Sequence, residues 1–120
     1  MRRYVVLVAY DPGHWESASE ADRQAYFAAH HAFEGYVDTH GRRISSAPLA
    51  GADTATTIRH VDGAATITDG PFLESVEQVG GYYDVELPDL DSAIAAGRLL
   101  PPSYAVEIRP TVTIEGYEPA

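Results

Sequence analysis

Residues Tyr4–Tyr10, YVVLVAY, carry an apolar or aromatic side chain at every position. In a β-strand Tyr4, Val6, Val8 and Tyr10 point to one face, and Val5, Leu7 and Ala9 to the other. A strand without a polar face needs cover on both sides, which places it at the centre of a sheet. Asp11-Pro12-Gly13 is turn chemistry and stops the run. The run is far shorter than the ~18 apolar residues of a membrane span. No small-residue cleavage site follows it, so it reads as a buried strand and not as a signal peptide.

The rest of the chain supplies the cover. Ser17-Ala18-Ser19-Glu20 is a capping-box pattern and predicts a helix running to about His40. Tyr26, Phe27, His30, Phe33 and Val37 recur at helical spacing as its buried stripe. Gly41 fits the position just past the helix end, with Arg42 and Arg43 beside the negative end of the dipole. Ile44–Leu49 reads as a short strand that Pro48 confines to an edge. Thr54–Val61 and Ala64–Thr68 form a hairpin about Asp62-Gly63, and Asp69-Gly70-Pro71 ends it. Residues Phe72–Val79 read as irregular, and Tyr82–Leu87 alternates as a half-buried strand. A second helix starts at Pro88 and Asp89 or Asp91, turns Leu90, Ala93 and Ile94 inward, and stops at Pro101-Pro102. Tyr104–Arg109 is the last main strand, and residues 113–120 read as a loose tail of one domain spanning 1–120.

This order is strand, helix, strand, hairpin, strand, helix, strand. It predicts an α+β fold, a ferredoxin-like βαβ(ββ)βαβ plait with a mainly antiparallel sheet. Both helices then cover one sheet face, and the chain has nothing left for the other. An exposed apolar patch on the order of several hundred Å² marks an interface. The expectation is therefore a homodimer in which two sheets face each other.

Composition removes several chemistries. The chain has no cysteine, which excludes disulfide scaffolds, zinc ribbons, iron–sulfur sites and thiol nucleophiles. All 8 basic residues are arginine, so a Schiff-base or phosphate-loop lysine is excluded. The formal net charge of −10 argues against nucleic acid and anionic membranes as partners and suits a cytoplasmic protein. Nothing resembles a Ser-His-Asp triad, a nucleophile elbow or a glycine-rich phosphate loop. His30 and His31 are adjacent, but neighbours on a helix diverge by about 100°. Zinc sites favour i, i+4 pairs with a third ligand, so neither a metal nor another cofactor is expected.

Asp69-Gly70-Pro71-Phe72, followed by Glu74, Glu77 and Gly80-Gly81-Tyr82-Tyr83, resembles the DGPF-motif proteins related to the YCII family. Ala55-Thr56-Thr57-Ile58-Arg59, Glu107-Ile108-Arg109-Pro110 and Trp15 fit the same pattern, so the resemblance covers roughly residues 3–112. The chain departs from it at Ser75-Val76, where the family usually has a lysine, and in a shorter helix after Asp91. The resemblance implies a dimeric α/β barrel built from two ferredoxin-like chains. It also implies a helix histidine, paired with an aspartate, for acid–base chemistry; one relative eliminates chloride from a hydroxylated aromatic ring. Some related genes neighbour those of sigma factors.

The candidate catalytic residues are His30, with His31 as the alternative for the helix histidine, and Asp69. A neutral histidine among Tyr26, Phe27 and Phe33 is equipped as a general base, whereas the plainer reading is a packed core histidine. Asp69 either caps its turn or presents a carboxylate to a cleft. His14, Trp15, Phe27, His31 and Tyr82 are the candidate substrate-binding residues. Trp15 is either a flat wall for a ring or a dimer or core residue, and Tyr4, Tyr10, Tyr82 and Tyr83 either bring hydroxyls into a cavity or, more simply, pack in the core and interface. Arg59 and Arg109 either clamp an anionic substrate or pair with Glu86 or Glu107 across strands, and pairing is the expectation. The expected site is a small, mostly apolar pocket between the sheet and the first helix, gated by a loop at Asp11–Ser19. Three readings stay open: a cofactor-free enzyme, a small-ligand-binding or regulatory dimer linked to a sigma factor, and a structural module.

Overall fold

A computed structural model of the protein describes all 120 residues. Its elements are β1 (Arg2–Tyr10), α1 (Pro12–Glu16), α2 (Glu20–His40), β2 (Arg42–Pro48), a 3₁₀ turn at Ala52–Thr54, β3 (Thr56–Val61), β4 (Ala64–Asp69), β5 (Gln78–Leu87), α3 (Leu90–Gly97) and β6 (Ala105–Pro110). The main sheet has the order β2-β5-β1-β6, with every neighbouring pair antiparallel. This is the ferredoxin-like α+β plait, with the strand apolar on both faces at its centre. β3 and β4 form a separate two-stranded sheet.

The alternation of β1 and β5 decides which residues form the core. Tyr4, Val6 and Val8 meet Tyr83, Val85 and Leu87 under Phe33 and Val37 of α2, with Ala93 and Ala96 of α3 and Leu100 completing the cluster. On the opposite face Val5, Leu7 and Ala9 are half-buried. That face is striped, not uniformly apolar. Arg3 makes a two-pronged bond to Asp84 at 2.9 and 2.6 Å, and Arg42 makes another to Glu86 at 3.1 Å on both prongs. These partners correct the expected pairing of Arg59 and Arg109. Arg42 stands opposite Glu86 and takes it, Arg109 reaches only Glu107 of its own strand at 3.5 Å, and Arg59 lies on the detached hairpin.

Other departures from the sequence expectation have local causes. The Asp11–Ser19 segment is not a plain loop. The Asp11 carboxylate accepts from the Gly13 amide at 2.9 Å and Pro12 takes the first helical position, so Asp-Pro-Gly starts α1. The Ser17 hydroxyl bonds the Gly13 carbonyl at 2.7 Å, which leaves Ser19 to cap α2 through the Asp22 amide at 3.1 Å. β5 begins at Gln78 and runs through Gly80-Gly81, because β1 and β2 pair with it on both sides and override the poor strand propensity of glycine. Asp62 and Gly63 have φ of 50° and 80°, the two left-handed residues of a tight hairpin turn. No helix is long and apolar enough to cross a membrane.

Gly41 is needed for a different reason than its place after a helix implies. Its φ of −164° is ordinary extended backbone. A Cβ there, however, would run into the carbonyl oxygen of Glu86, where the end of α2 meets β5. Gly41→Ala is expected to cost about 1–3 kcal/mol, as overpacking against backbone does. Urea denaturation checks this, and an unchanged midpoint would contradict the close approach.

Candidate functional site

α2 is longer than the core it covers. Phe33 and Val37 in its second half are buried, whereas Tyr26 and His30 in the first half are half-buried and Phe27 is 45% exposed. The predicted buried stripe therefore splits. Its second half closes the core, and its first half overhangs the sheet and lines a cavity.

His30 stands at the junction. Its Nδ1 lies 2.8 Å from the Tyr83 hydroxyl and its Nε2 lies 2.9 Å from the Tyr104 hydroxyl. The Tyr83 hydroxyl donates to Glu34 Oε2 at 2.7 Å. Glu34 is one helical turn beyond His30, and its other oxygen lies 3.6 Å from Arg43 Nη1. Donor rules orient the whole chain. A carboxylate only accepts, so Tyr83 spends its hydrogen on Glu34 and accepts from His30 Nδ1–H. The neutral imidazole then has its lone pair on Nε2, which accepts the hydrogen of Tyr104. Every hydrogen points from Tyr104 toward Glu34.

Burial tunes these groups. It pushes His30 below its usual 6.5, because partial desolvation disfavours the imidazolium; Glu34 pulls the other way and His31 adds to the lowering. Burial raises Tyr83 strongly, with the hydrogen bond to Glu34 adding to it. Tyr104 is pushed up to about 12, first by burial and then by Tyr10 and Tyr26. At neutral pH the network holds a neutral imidazole and two protonated phenols, a base with hydroxyls on both nitrogens.

The folded value of His30 lies below the unfolded one, so the unfolded chain binds its proton first as pH falls. The His30 contribution is full above about 6.5 and is lost as pH falls through the folded value. Asp84, Glu86 and Asp89 are also held low, by Arg3, by Arg42 and by the Ser92 amide respectively. Their contributions persist to roughly pH 4 and fade below it. Urea midpoints followed from neutral to acid pH are expected to decline in two stages. His30→Gln is expected to flatten the upper stage alone.

Two adjoining cavities of about 340 Å³ each meet at this network. One is bordered by His30, His31, Glu34, Tyr82 and Tyr83, and the other by His14, Trp15, Tyr26 and Leu49. Tyr10, Phe27, Pro48, Gly80 and Tyr104 border both. The Tyr10 ring stacks on Tyr104 at 5.0 Å, and Tyr104 faces Tyr26 at 6.2 Å. Trp15 sits 5.6 Å from Phe27, and the Arg23 guanidinium lies over its ring at 4.7 Å while donating to the Trp15 carbonyl. A Cβ on Gly80 would collide with the Tyr10 ring, so the glycine makes room for that wall.

The structure thus brings His30, Phe27 and His31 to one cavity, with His14 and Trp15 at the next; Tyr82 borders the first, but it pairs with Leu7 and so shares the opposite face of the sheet. Asp69 ends β4 opposite Thr56, exposed, with no bond to His30. The carboxylate that joins the network is Glu34. Sequence reasoning missed Glu34, Tyr26 and Tyr104. The i, i+4 spacing of His30 and Glu34 was the available signal for the first.

These features define an α+β plait whose long helix brings a histidine, held between two tyrosine hydroxyls, to an aromatic cavity. The chain belongs to the family of the YCII-related domain, whose model matches residues 2–111. It is similar to an uncharacterised protein of Rhizobium meliloti (strain 1021), R00369, at 37% identity over 79 residues. That alignment covers 62% of this chain and 63% of the relative, so the chain spans a little under two thirds of its length.

Proposed function

We propose that the protein is a cofactor-independent acid–base catalyst acting on a small, largely apolar, cyclic or aromatic molecule. The observation that carries this reading is the oriented chain from Tyr104 through His30 and Tyr83 to Glu34, with Tyr104 bordering both cavities. Tyr104 is too weak an acid to serve as a free phenolate base. With His30 accepting from it, the phenol oxygen takes a proton from the substrate while its own hydrogen moves to Nε2. The imidazolium that forms keeps its Nδ1–H on Tyr83, which holds the Glu34 charge nearby. Returning the proton to a different substrate atom, or to a leaving group, completes an isomerisation or an elimination. Trp15, Phe27 and Tyr10 are the walls, and His14 and His31 stand at the rim. Glu34 fills the role that the resemblance gives to an aspartate.

The same reading makes the protein a cytoplasmic homodimer. The net charge of −10 supports the compartment. The half-buried strip of Val5, Leu7 and Ala9 supports a second sheet facing it.

Trp15 is the chain's one tryptophan and lines the cavity, so its fluorescence reports occupancy. A panel of phenol, cyclohexanone and cyclohex-2-enone is expected to shift it saturably. Deuterium uptake at the carbon next to the carbonyl, followed by NMR, is expected to exceed that with free imidazole at equal concentration. Occupancy without uptake would favour a ligand-binding protein over an enzyme. Neither response from any member would contradict the site.

A further inference from the structure

The β3–β4 hairpin stands apart from the core that forms the rest of the fold. Every residue of its two strands except Thr57 is exposed. Ile58 and Ile67 are direct cross-strand partners on one face, 62% and 68% exposed. A lone two-stranded hairpin is marginal in water, and an apolar β-branched pair facing solvent makes this one more so. At the foot of the hairpin Phe72 and Leu73, also largely exposed, join Leu49 and Val79 around an open apolar cavity of about 600 Å³.

The shape of the whole chain reflects this. Its accessible surface is 8406 Å², about 2,000 Å² above the roughly 6,300 Å² of a compact monomer of this mass. Its radius of gyration is 16.7 Å, against about 13.6 Å for a compact chain of this length. The exposed residues 111–120 account for part of the excess, and the hairpin and its foot for another part. A standard interface buries only about 800 Å² per partner, so the surplus suffices for one.

We propose that the β3–β4 hairpin and the apolar foot at Phe72 and Leu73 form a clasp that packs on a second copy of this chain. The proposal rests on the homodimer reading above and goes beyond it, because it places a main contact on the arm and not on the sheet face alone. A second copy is the occupant the surfaces favour. One chain leaves two apolar regions uncovered, the arm with its foot and the strip of Val5, Leu7 and Ala9. A two-fold axis repeats each contact, so one pattern covers these regions on both chains. Arg59 on the arm has no ion-pair partner in its own chain, and the body it would meet carries most of the 18 acidic residues. The Leu49–Ala52 segment borders both the foot cavity and the Trp15 cavity, so docking at the foot adjoins the mouth of the site.

Sedimentation velocity across the micromolar range, with the full chain, tests this. The wild type is expected to sediment as a dimer. The double variant Ile58→Glu/Ile67→Glu is expected to raise the dimer Kd by at least about tenfold. Both side chains are exposed within their own chain, so the circular dichroism of the core should not change. Hydrogen exchange of the wild type supplies a second readout that needs no variant. Amides of β3 and β4 are expected to be protected in the dimer and to lose protection on dilution. A dimer whose Kd is unchanged in the double variant, or whose arm amides exchange freely, overturns the clasp and leaves the sheet-face dimer standing. A wild type that remains a single chain at these concentrations overturns both.

Discussion

Phe33→Ala is expected to remove about 3–5 kcal/mol of stability, the cost of deleting a fully buried ring whose cavity cannot collapse. Phe33 is 0% exposed. It sits where α2 leaves its cavity-lining half for its core-closing half, and its ring lies 4.5 Å from that of Tyr83. The neighbours that would have to move into the void include Tyr83, held by the sheet, and Val37, one turn further along the same helix. A domain of this kind has only about 5–15 kcal/mol in total, so the loss should be plain in a urea midpoint. The variant carries a second consequence. Tyr83 loses the ring that supports it, so its hydroxyl should no longer bridge His30 and Glu34 in one fixed position. A loss below about 1 kcal/mol would show that α2 is not seated as described.

The second large effect concerns the proton chain. His30→Gln is expected to lower the catalysed deuterium uptake by about 10²–10⁴, the usual contribution of a positioned general base. That range corresponds to roughly 2.7–5.5 kcal/mol of barrier. Tyr104→Phe removes the oxygen proposed to meet the substrate and should fall in the same range. The two act as one unit, so the double variant should lose little more than either single one. Additive losses would separate their roles and contradict the relay. The pH profile has a defined sign as well. With neutral His30 as the proposed working form, the rate is expected to rise as pH climbs through its lowered value and to level by about 6.5. Glu34→Gln leaves a hydrogen-bonding group in place but removes the charge, and should depress the rate less than the loss of His30 does.

Local sequence signals carry much of this architecture. Tyr4–Tyr10 announces a central strand because neither face is polar, and the alternation of Tyr82–Leu87 names its neighbour's buried side. Asp62-Gly63 specifies a tight turn through residues that tolerate positive φ. These are local signals, and period and turn chemistry carry them. The site was half-legible for the same reason. Helical spacing puts His30 on the inward stripe, yet its partners lie 53 and 74 positions away in Tyr83 and Tyr104, and no periodicity reports which hydroxyl meets which ring nitrogen. Phe27 shares the apolar stripe yet lines the cavities as the substrate-binding expectation has it, because spacing tells which face of a helix is apolar and not where the sheet beneath it ends. Asp69 looked like a site residue because its turn is so specific. The hairpin before it does not join the main sheet, and nothing in the hairpin's own sequence marks it as detached. Gly41 followed a rule for helix ends, whereas the close passage of β5 is what requires it.

In the proposed mechanism His30 is a neutral base whose hydrogen sits on Nδ1, facing Tyr83, with its lone pair turned to Tyr104. A ¹⁵N NMR titration of the labelled imidazoles reads both the charge and the tautomer. His30 is expected to titrate below 6.5, to show the Nδ1–H tautomer at neutral pH, and to change tautomer balance in Tyr83→Phe. A His30 that is charged at neutral pH, or that carries its hydrogen on Nε2, would contradict the direction of the chain and the mechanism built on it.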